Sequence, residues 1–171
     1  IGFHAFYDTN LNSLGLNYLG RFESIDFDYS KISSGKTLQT LFFKDSANLF
    51  FDGNIKFNDK IFKNRNLCID TGAKQTVLMK KFYRAIREDI IDYKVKVFKG
   101  VGIVSEFELL GKQVDYSEVY VGDVKLAILE NTPILFRNNV SVICDVVLGQ
   151  DALQGKLKEI NFKNRTVEFW I

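Results

Sequence analysis

The sequence predicts a mostly β domain with two helices. Short runs of β-branched and aromatic residues follow one another from Thr37 to the C-terminus. The chain contains 16 Phe and 7 Tyr but a single Pro, so Gly, Asn and Asp must supply most turns. Only Val77–Tyr93 carries apolar residues at the spacing of an amphipathic helix over many positions. One longer helix inserted among strands therefore accompanies the short helix described below.

The domain is expected to begin at residue 37. Ser30–Lys36 is polar and contains Gly and Ser, so residues 1–36 are predicted to be an N-terminal extension and linker, and residues 37–171 the domain. A short helix is predicted over Gln150–Leu157. The predicted strands and apolar runs are Thr37–Phe43, Asn48–Phe57, Asn66–Asp70, Tyr93–Phe98, Ile103–Leu110, Val114–Val121, Val124–Leu129, Val142–Gly149, Glu159–Phe162 and Thr166–Trp170.

Composition argues against several function classes. The net charge is only +2 and Lys and Arg are scattered, which disfavours nucleic-acid binding. His4 is the only histidine, which disfavours a histidine metal site, a Ser-His-Asp triad and a Cys-His dyad within one chain. No apolar run approaches the ~18 residues of a membrane span. Because the chain starts at Ile1, processing or missing residues are implied and the compartment is unknown, with a periplasmic or secreted location open.

The two cysteines, Cys68 and Cys144, lie in strongly apolar runs. Two cysteines do not make a disulfide framework, so buried free thiols are the favoured interpretation. A disulfide between them is the alternative.

The stretch with the clearest chemistry runs from Leu67 through Asp70-Thr71-Gly72-Ala73. Burying an unpaired carboxylate is costly, so an aspartate at the end of a buried strand is expected to have a partner, a proton or a catalytic role. Two such aspartates placed face to face share one proton, so that one acts as general base on a water and the other as general acid. Thr71 is expected to fix the loop through its hydroxyl, and Gly72 to permit the tight turn.

Two further segments follow in order. Lys99-Gly100-Val101-Gly102 lies between two predicted strands, and glycines at a hairpin tip allow motion, although an ordinary turn is the alternative. An apolar run then ends in Leu148-Gly149 directly before the short helix.

Together these three segments resemble retropepsin-like aspartic proteases, most closely bacterial ones that insert a helix after Asp-Thr-Gly. The resemblance implies a closed β-barrel lobe and an aspartic endopeptidase with Asp70 as a catalytic carboxylate. It implies no metal or organic cofactor, and a peptide or protein substrate held beneath a flap. The implied supporting residues are Thr71, Gly72, Ala73, Leu148 and Gly149, and the implied flap residues are Lys99, Gly100, Val101 and Gly102. Asp151 stands where retroviral enzymes usually have Asn, and a structural role is favoured for it.

Only one Asp-Thr-Gly occurs, so the second aspartate must come from an identical subunit or a second lobe. Residues 14–19 can be laid on residues 148–153, and the match continues after a one-residue slip. The continued match places Phe22, Ile25, Asp26 and Phe27 on Leu157, Ile160, Asn161 and Phe162. Residues 1–30 are then either the tail of a preceding protease lobe or an extension that packs on the domain or its dimer interface.

The same fold could also serve a different function. A catalytically inactive module that binds a peptide or dimerises is the main alternative to the peptidase. A metal enzyme or a glycosidase ranks third, because no carboxylate pair stands in a recognisable frame.

Overall fold

The structure, a computed structural model, describes residues 21–27, 35–44, 49–101, 106–136 and 144–171. These ranges form a mostly β protein, as the sequence predicts. The strands are β1 (Ser24–Asp26), β2 (Thr37–Lys44), β3 (Leu49–Phe57), β4 (Lys60–Ile69), β5 (Val77–Leu78), β6 (Lys96–Val101), β7 (Glu106–Val121), β8 (Val124–Leu135), β9 (Val146–Leu148), β10 (Leu157–Asn161) and β11 (Thr166–Trp170). The helices are α1 (Lys80–Ile86) and α2 (Gln150–Leu153).

Six of the strands close into a barrel. They follow one another as β3-β4-β9-β5-β8-β7, and a pairing of β3 with β7 completes the ring. Ile55 lies opposite Val119 at this closure. The pairs β4–β9 and β5–β8 are parallel, whereas the other pairs in the ring are antiparallel. The predicted closed barrel is confirmed.

Two extensions leave the barrel. On one side, β1, β10, β11 and β2 form an antiparallel sheet in that order, and β2 joins it to β3. On the other side, β6 pairs with β7 as a hairpin and is the last strand in the sheet order. Among the described strands, β1 and β6 therefore stand at the two ends of the sheet order.

Tight turns use residues that tolerate a left-handed backbone. Asn58, between β3 and β4, has φ 52°, and Gly122, between β7 and β8, has φ 57°. Asparagine and glycine adopt this conformation at low cost, which favours tight turns at these two points.

The barrel interior is filled by large apolar side chains. Among the fully buried ones are Phe51, Phe57, Leu67, Phe82 and Leu129, each at most 1% exposed. Full burial of such a side chain is worth about 1.5–3 kcal/mol, so this core dominates the stability of the domain. Because α1 buries Phe82 and Ile86 in the same cluster, the inserted helix is an integral part of the barrel.

The inserted helix is shorter than the predicted Val77–Tyr93. Val77 and Leu78 are strand β5, since they pair with β9 and Leu78 also pairs with β8. After Ile86 the chain continues as turns that bury Ile90. The ammonium of Lys112 donates to the carbonyls of Ile90 and Ile91 at 2.6 and 2.8 Å, so strand β7 holds these turns in place. Tertiary contacts therefore override the helical spacing at both ends.

Candidate active site

The parallel pair β4–β9 positions Asp70 at its end. Ile69 lies opposite Leu148, and the Asp70 N–H donates to the Leu148 carbonyl at 3.0 Å. Leu67 and Leu148 are fully buried. The aspartate therefore follows immediately after the last residue that the barrel anchors.

The loop after β4 fixes one oxygen of the Asp70 carboxylate. Oδ1 accepts the N–H groups of Gly72 at 3.0 Å and of Ala73 at 3.2 Å. The Asp70 side chain is exposed, so the expectation of a buried carboxylate is wrong for this chain by itself. The physical reason is that the backbone leaves the sheet at Asp70 and no described residue covers it. The described residues also provide no donor to Oδ2.

A buried threonine ties this loop to helix α2. Thr76 is fully buried, and its hydroxyl accepts the Gly149 N–H at 3.0 Å and donates to Asp151 Oδ1 at 2.6 Å. The Thr76 N–H donates to the same carboxylate oxygen at 2.8 Å. Asp151 thus accepts hydrogen bonds from the backbone and the hydroxyl of Thr76. It makes no direct hydrogen bond with the Asp70 side chain.

Gly149 allows the loop and β9 to approach each other. A Cβ at this position would lie 2.6 Å from the Gln75 carbonyl carbon and 2.9 Å from the Ala73 carbonyl oxygen, both of them backbone atoms. The Gln150 N–H donates to the Ala73 carbonyl at 2.8 Å, and its side-chain amide donates to the Thr71 carbonyl at 3.0 Å. The loop that carries Asp70 is therefore held at both ends by the segment around Gly149.

The segment predicted as a flap lies on the β6–β7 hairpin. Lys99 pairs with Glu108 across the two strands, and their side chains form an exposed ion pair at 3.2 Å. Gly100 and Val101 continue β6, whereas Gly102 lies outside the described residues. Two neighbouring strands thus present this segment, and its contact with a substrate stays a prediction.

The cysteines form a disulfide, so the expectation of free thiols is wrong. Cys68 on β4 and Cys144 just before β9 are bonded, with their Cα atoms 6.1 Å apart. Phe50, Met79 and Val147 bury the bond. The sequence could not favour this pairing, because the two cysteines are 76 residues apart and only the parallel β4–β9 pair brings them together.

Sequence reasoning missed a buried carboxylate beside the disulfide. Asp145 is fully buried, and its oxygens lie 3.1 Å from the Lys81 ammonium and 3.6 Å from the Arg65 guanidinium. The Asn66 N–H also donates to Asp145 Oδ2 at 3.0 Å. The available signal was an acid inside the apolar run Val142–Gly149.

Within the described ranges, no group of three or more His, Cys, Asp or Glu side chains could hold a metal ion. None of the described helices is long and apolar enough to span a membrane.

Comparisons with known proteins give matches among solved structures only. No family model and no curated protein sequence matches the chain. Among solved structures, it is similar to a retropepsin-like aspartic protease from Rickettsia conorii, at 13% identity and a TM-score of 0.45, over 84% of this chain and 95% of that one. It is also similar to the retroviral protease-like domain of Ddi1 from Leishmania major, at 14% identity and a TM-score of 0.37, over 68% and 77% of the two chains. At these identities and TM-scores, neither similarity says what this chain does.

Proposed function

We propose that the chain is one half of an aspartic endopeptidase. Asp70 supplies one catalytic carboxylate, and an equivalent aspartate from a second lobe or subunit supplies the other. The observation that carries the proposal is the state of Asp70: its Oδ1 is fixed by two backbone N–H groups, while its side chain is exposed at the end of a rigid strand pair. A carboxylate that is fixed in orientation and accessible is suited to proton transfer.

The chemistry requires the pair. The ionised carboxylate takes a proton from a water whose oxygen attacks the substrate carbonyl carbon, and the protonated carboxyl gives its proton to the carbonyl oxygen. The tetrahedral diol then collapses: the amide nitrogen takes the proton that the first carboxylate received from water, and the C–N bond breaks. The other carboxylate takes a proton from a diol hydroxyl as the new carboxyl end forms, which restores the pair with one shared proton. Titration of such a site belongs to the pair and not to either aspartate alone.

The surrounding residues would keep this geometry. The backbone N–H groups of Gly72 and Ala73 hold Oδ1 of Asp70 in place, and Gly149 lets the loop lie against β9. Leu148 accepts the backbone N–H of the aspartate. The Thr71 hydroxyl would bind across a two-fold axis to the second lobe.

The β6–β7 hairpin would cover the substrate. Strand β6 is the last strand in the sheet order, so one of its edges can pair with the backbone of an extended peptide. Lys99, Gly100, Val101 and Gly102 would form the flap. The substrate class that fits is a peptide or protein in extended conformation.

The test is cleavage of a peptide library at acidic to neutral pH, measured on the 171-residue chain and on the complete gene product. Asp70→Asn should lower cleavage about 10²–10⁴-fold, the typical contribution of a general acid–base group. Asp123→Asn, the same change at an exposed aspartate in the β7–β8 turn, is the matched control and should cleave as wild type does. Equal cleavage by Asp70→Asn and wild type, or no cleavage by wild type in either form, would contradict the peptidase proposal. The inactive module that binds a peptide or dimerises would then be favoured.

A further inference from the structure

The short strand β1 pairs with β10 over three residues. Ile25 lies directly opposite Ile160 on β10, and the strands are antiparallel. Two hydrogen bonds flank this pair: the Phe27 N–H donates to the Lys158 carbonyl, and the Phe162 N–H donates to the Glu23 carbonyl, both at 2.8 Å. The pairing therefore extends one residue or more beyond each end of β1.

This register relates equivalent residues of the internal sequence match. In that match Ile25 corresponds to Ile160 and Phe27 to Phe162. Ile25 consequently faces its own equivalent, and the two flanking hydrogen bonds are exchanged between equivalent positions. In an isologous two-fold interface, residue i contacts residue j while j contacts i. The β1–β10 pair has this pattern, although both strands belong to one chain.

Side-chain packing follows the same symmetry. Phe27 and Phe162 are both partly buried and pack against the main core cluster. Ile160 is 6% exposed and belongs to this cluster. In a symmetric homodimer built on this edge, β10 of a second copy would occupy the place that β1 fills, with Ile160 facing Ile160. The edge is therefore already taken within the chain.

We propose that β1 is the counterpart of β10 in a preceding lobe homologous to residues 37–171, and that this lobe in the same polypeptide supplies the second aspartate. Only the catalytic role of the preceding lobe rests on the proposed function. The pairing of β1 with β10 does not depend on activity. If the sequence match were accidental, Ile25 would not be expected to lie opposite its equivalent, Ile160.

If this proposal is correct, the gene encodes a homologous lobe upstream of Ile1. The reading frame before Ile1 should encode an apolar-apolar-Asp-Thr-Gly or Asp-Ser-Gly motif, about as far before Gly15 as Asp70 lies before Gly149. A reading frame without a homologous lobe there overturns the proposal.

Cysteine cross-linking tests the edge directly in the 171-residue chain. The double variant Ile25→Cys with Ile160→Cys should form an intrachain disulfide on mild oxidation, roughly tenfold or more faster than the control pair Ile25→Cys with Ile128→Cys, since paired strands give a high effective concentration. Ile160→Cys alone should stay monomeric on a non-reducing gel.

The outcomes separate the two proposals. A disulfide-linked dimer of Ile160→Cys, or equal cross-linking in the control pair, overturns the inference even if the protein cleaves peptides. Rapid intrachain cross-linking together with an upstream lobe supports the inference, even if Asp70→Asn leaves peptide cleavage unchanged and the peptidase proposal fails.

Discussion

Two aspartates lie at opposite ends of the same parallel strand pair, β4–β9, and differ in every contact. Asp145 precedes β9 and exchanges backbone and side-chain hydrogen bonds with Asn66. Asp70 follows β4 and donates its N–H to Leu148. The first is fully buried and the second is exposed. One short strand pair therefore holds two carboxylates in opposite environments.

The difference lies in how each charge is balanced. Asp145 is compensated by Arg65 and Lys81, so its charge is used within the fold. Asp70 receives only the N–H groups of Gly72 and Ala73 on one oxygen, and among the described residues it forms no ion pair. Removing a buried carboxylate that two cations bind leaves those cations uncompensated and destabilises the fold, whereas an exposed carboxylate with a fixed orientation is available for proton transfer. The comparison thus separates an anchor from a candidate catalyst.

The largest expected effect concerns the disulfide next to the buried end. Replacing Cys68 and Cys144 together by Ala should lower the free energy of unfolding by about 4 kcal/mol, because the bond closes a loop of 76 residues in the unfolded chain. Urea denaturation with and without a reductant measures it. The reductant should destabilise the wild type and leave the double variant unchanged.

Insensitivity of the wild-type midpoint to reductant would contradict this prediction. It would also show that the strand pair keeps its two ends in register without the bond. The Asp70 end would then depend on the barrel core alone.

The next effect separates the two aspartates. Asp145→Asn should lower the free energy of unfolding by about 3 kcal/mol, since the ion pairs of Lys81 and Arg65 with this buried carboxylate are lost. Partial exposure of both cations keeps the loss at the low end for a broken buried pair. Asp70→Asn should change it by less than about 0.5 kcal/mol, as expected for an exposed side chain. Urea denaturation of the two variants measures both.

Asp123→Asn serves again as the exposed control. If Asp145→Asn were as stable as wild type while Asp70→Asn unfolded readily, the roles assigned to the two ends of the strand pair would be reversed.

Much of this arrangement could be predicted from local sequence. The strand that leads to Asp70, the Gly72 turn and the glycine after Leu148 all have signals within a few residues, because turn chemistry and strand alternation are local. The internal match around Ile25 was also visible as sequence. Its meaning depended on the register, which only the fold supplies.

The missed features share one property: their partners come from distant segments. Asp145 is paired by Arg65 on β4 and Lys81 on α1, and neither lies near it in sequence. The disulfide likewise joins segments 76 residues apart. The predicted helix begins too early because Val77, which has a β-branched side chain, pairs with strand β9 as part of β5. Local periodicity contains no information about such contacts.

A third carboxylate, Glu118 on β7, sharpens the comparison because it is buried and contacts both neutral hydroxyls and cations. The hydroxyls of Tyr116 and Tyr120 each donate to it at 2.7 Å, the Lys125 ammonium binds it directly, and Lys56 lies 3.7 Å away. Hydrogen bonds from Lys125, Tyr120 and Tyr116 lower the pKa of Glu118 from about 4.5 to about 2. The same hydrogen bonds to Glu118 raise the pKa of both tyrosines.

The smallest expected effect is the pH dependence that follows from this cluster. Because the pKa of Glu118 is lower in the folded state than in the unfolded state, its contribution to stability is fully present above about pH 4.5 and is lost as the pH falls through about 2. Urea denaturation of wild type and Glu118→Gln should therefore differ most near neutral pH, and the difference should shrink between pH 4.5 and 2. Glu130→Gln, at the exposed position opposite Tyr116, is the matched control and should follow the wild-type pH profile. A difference that stays constant down to pH 2 would mean that the Glu118 carboxylate is not stabilised by its partners, and the acid sensitivity of the barrel would then have to come from other groups.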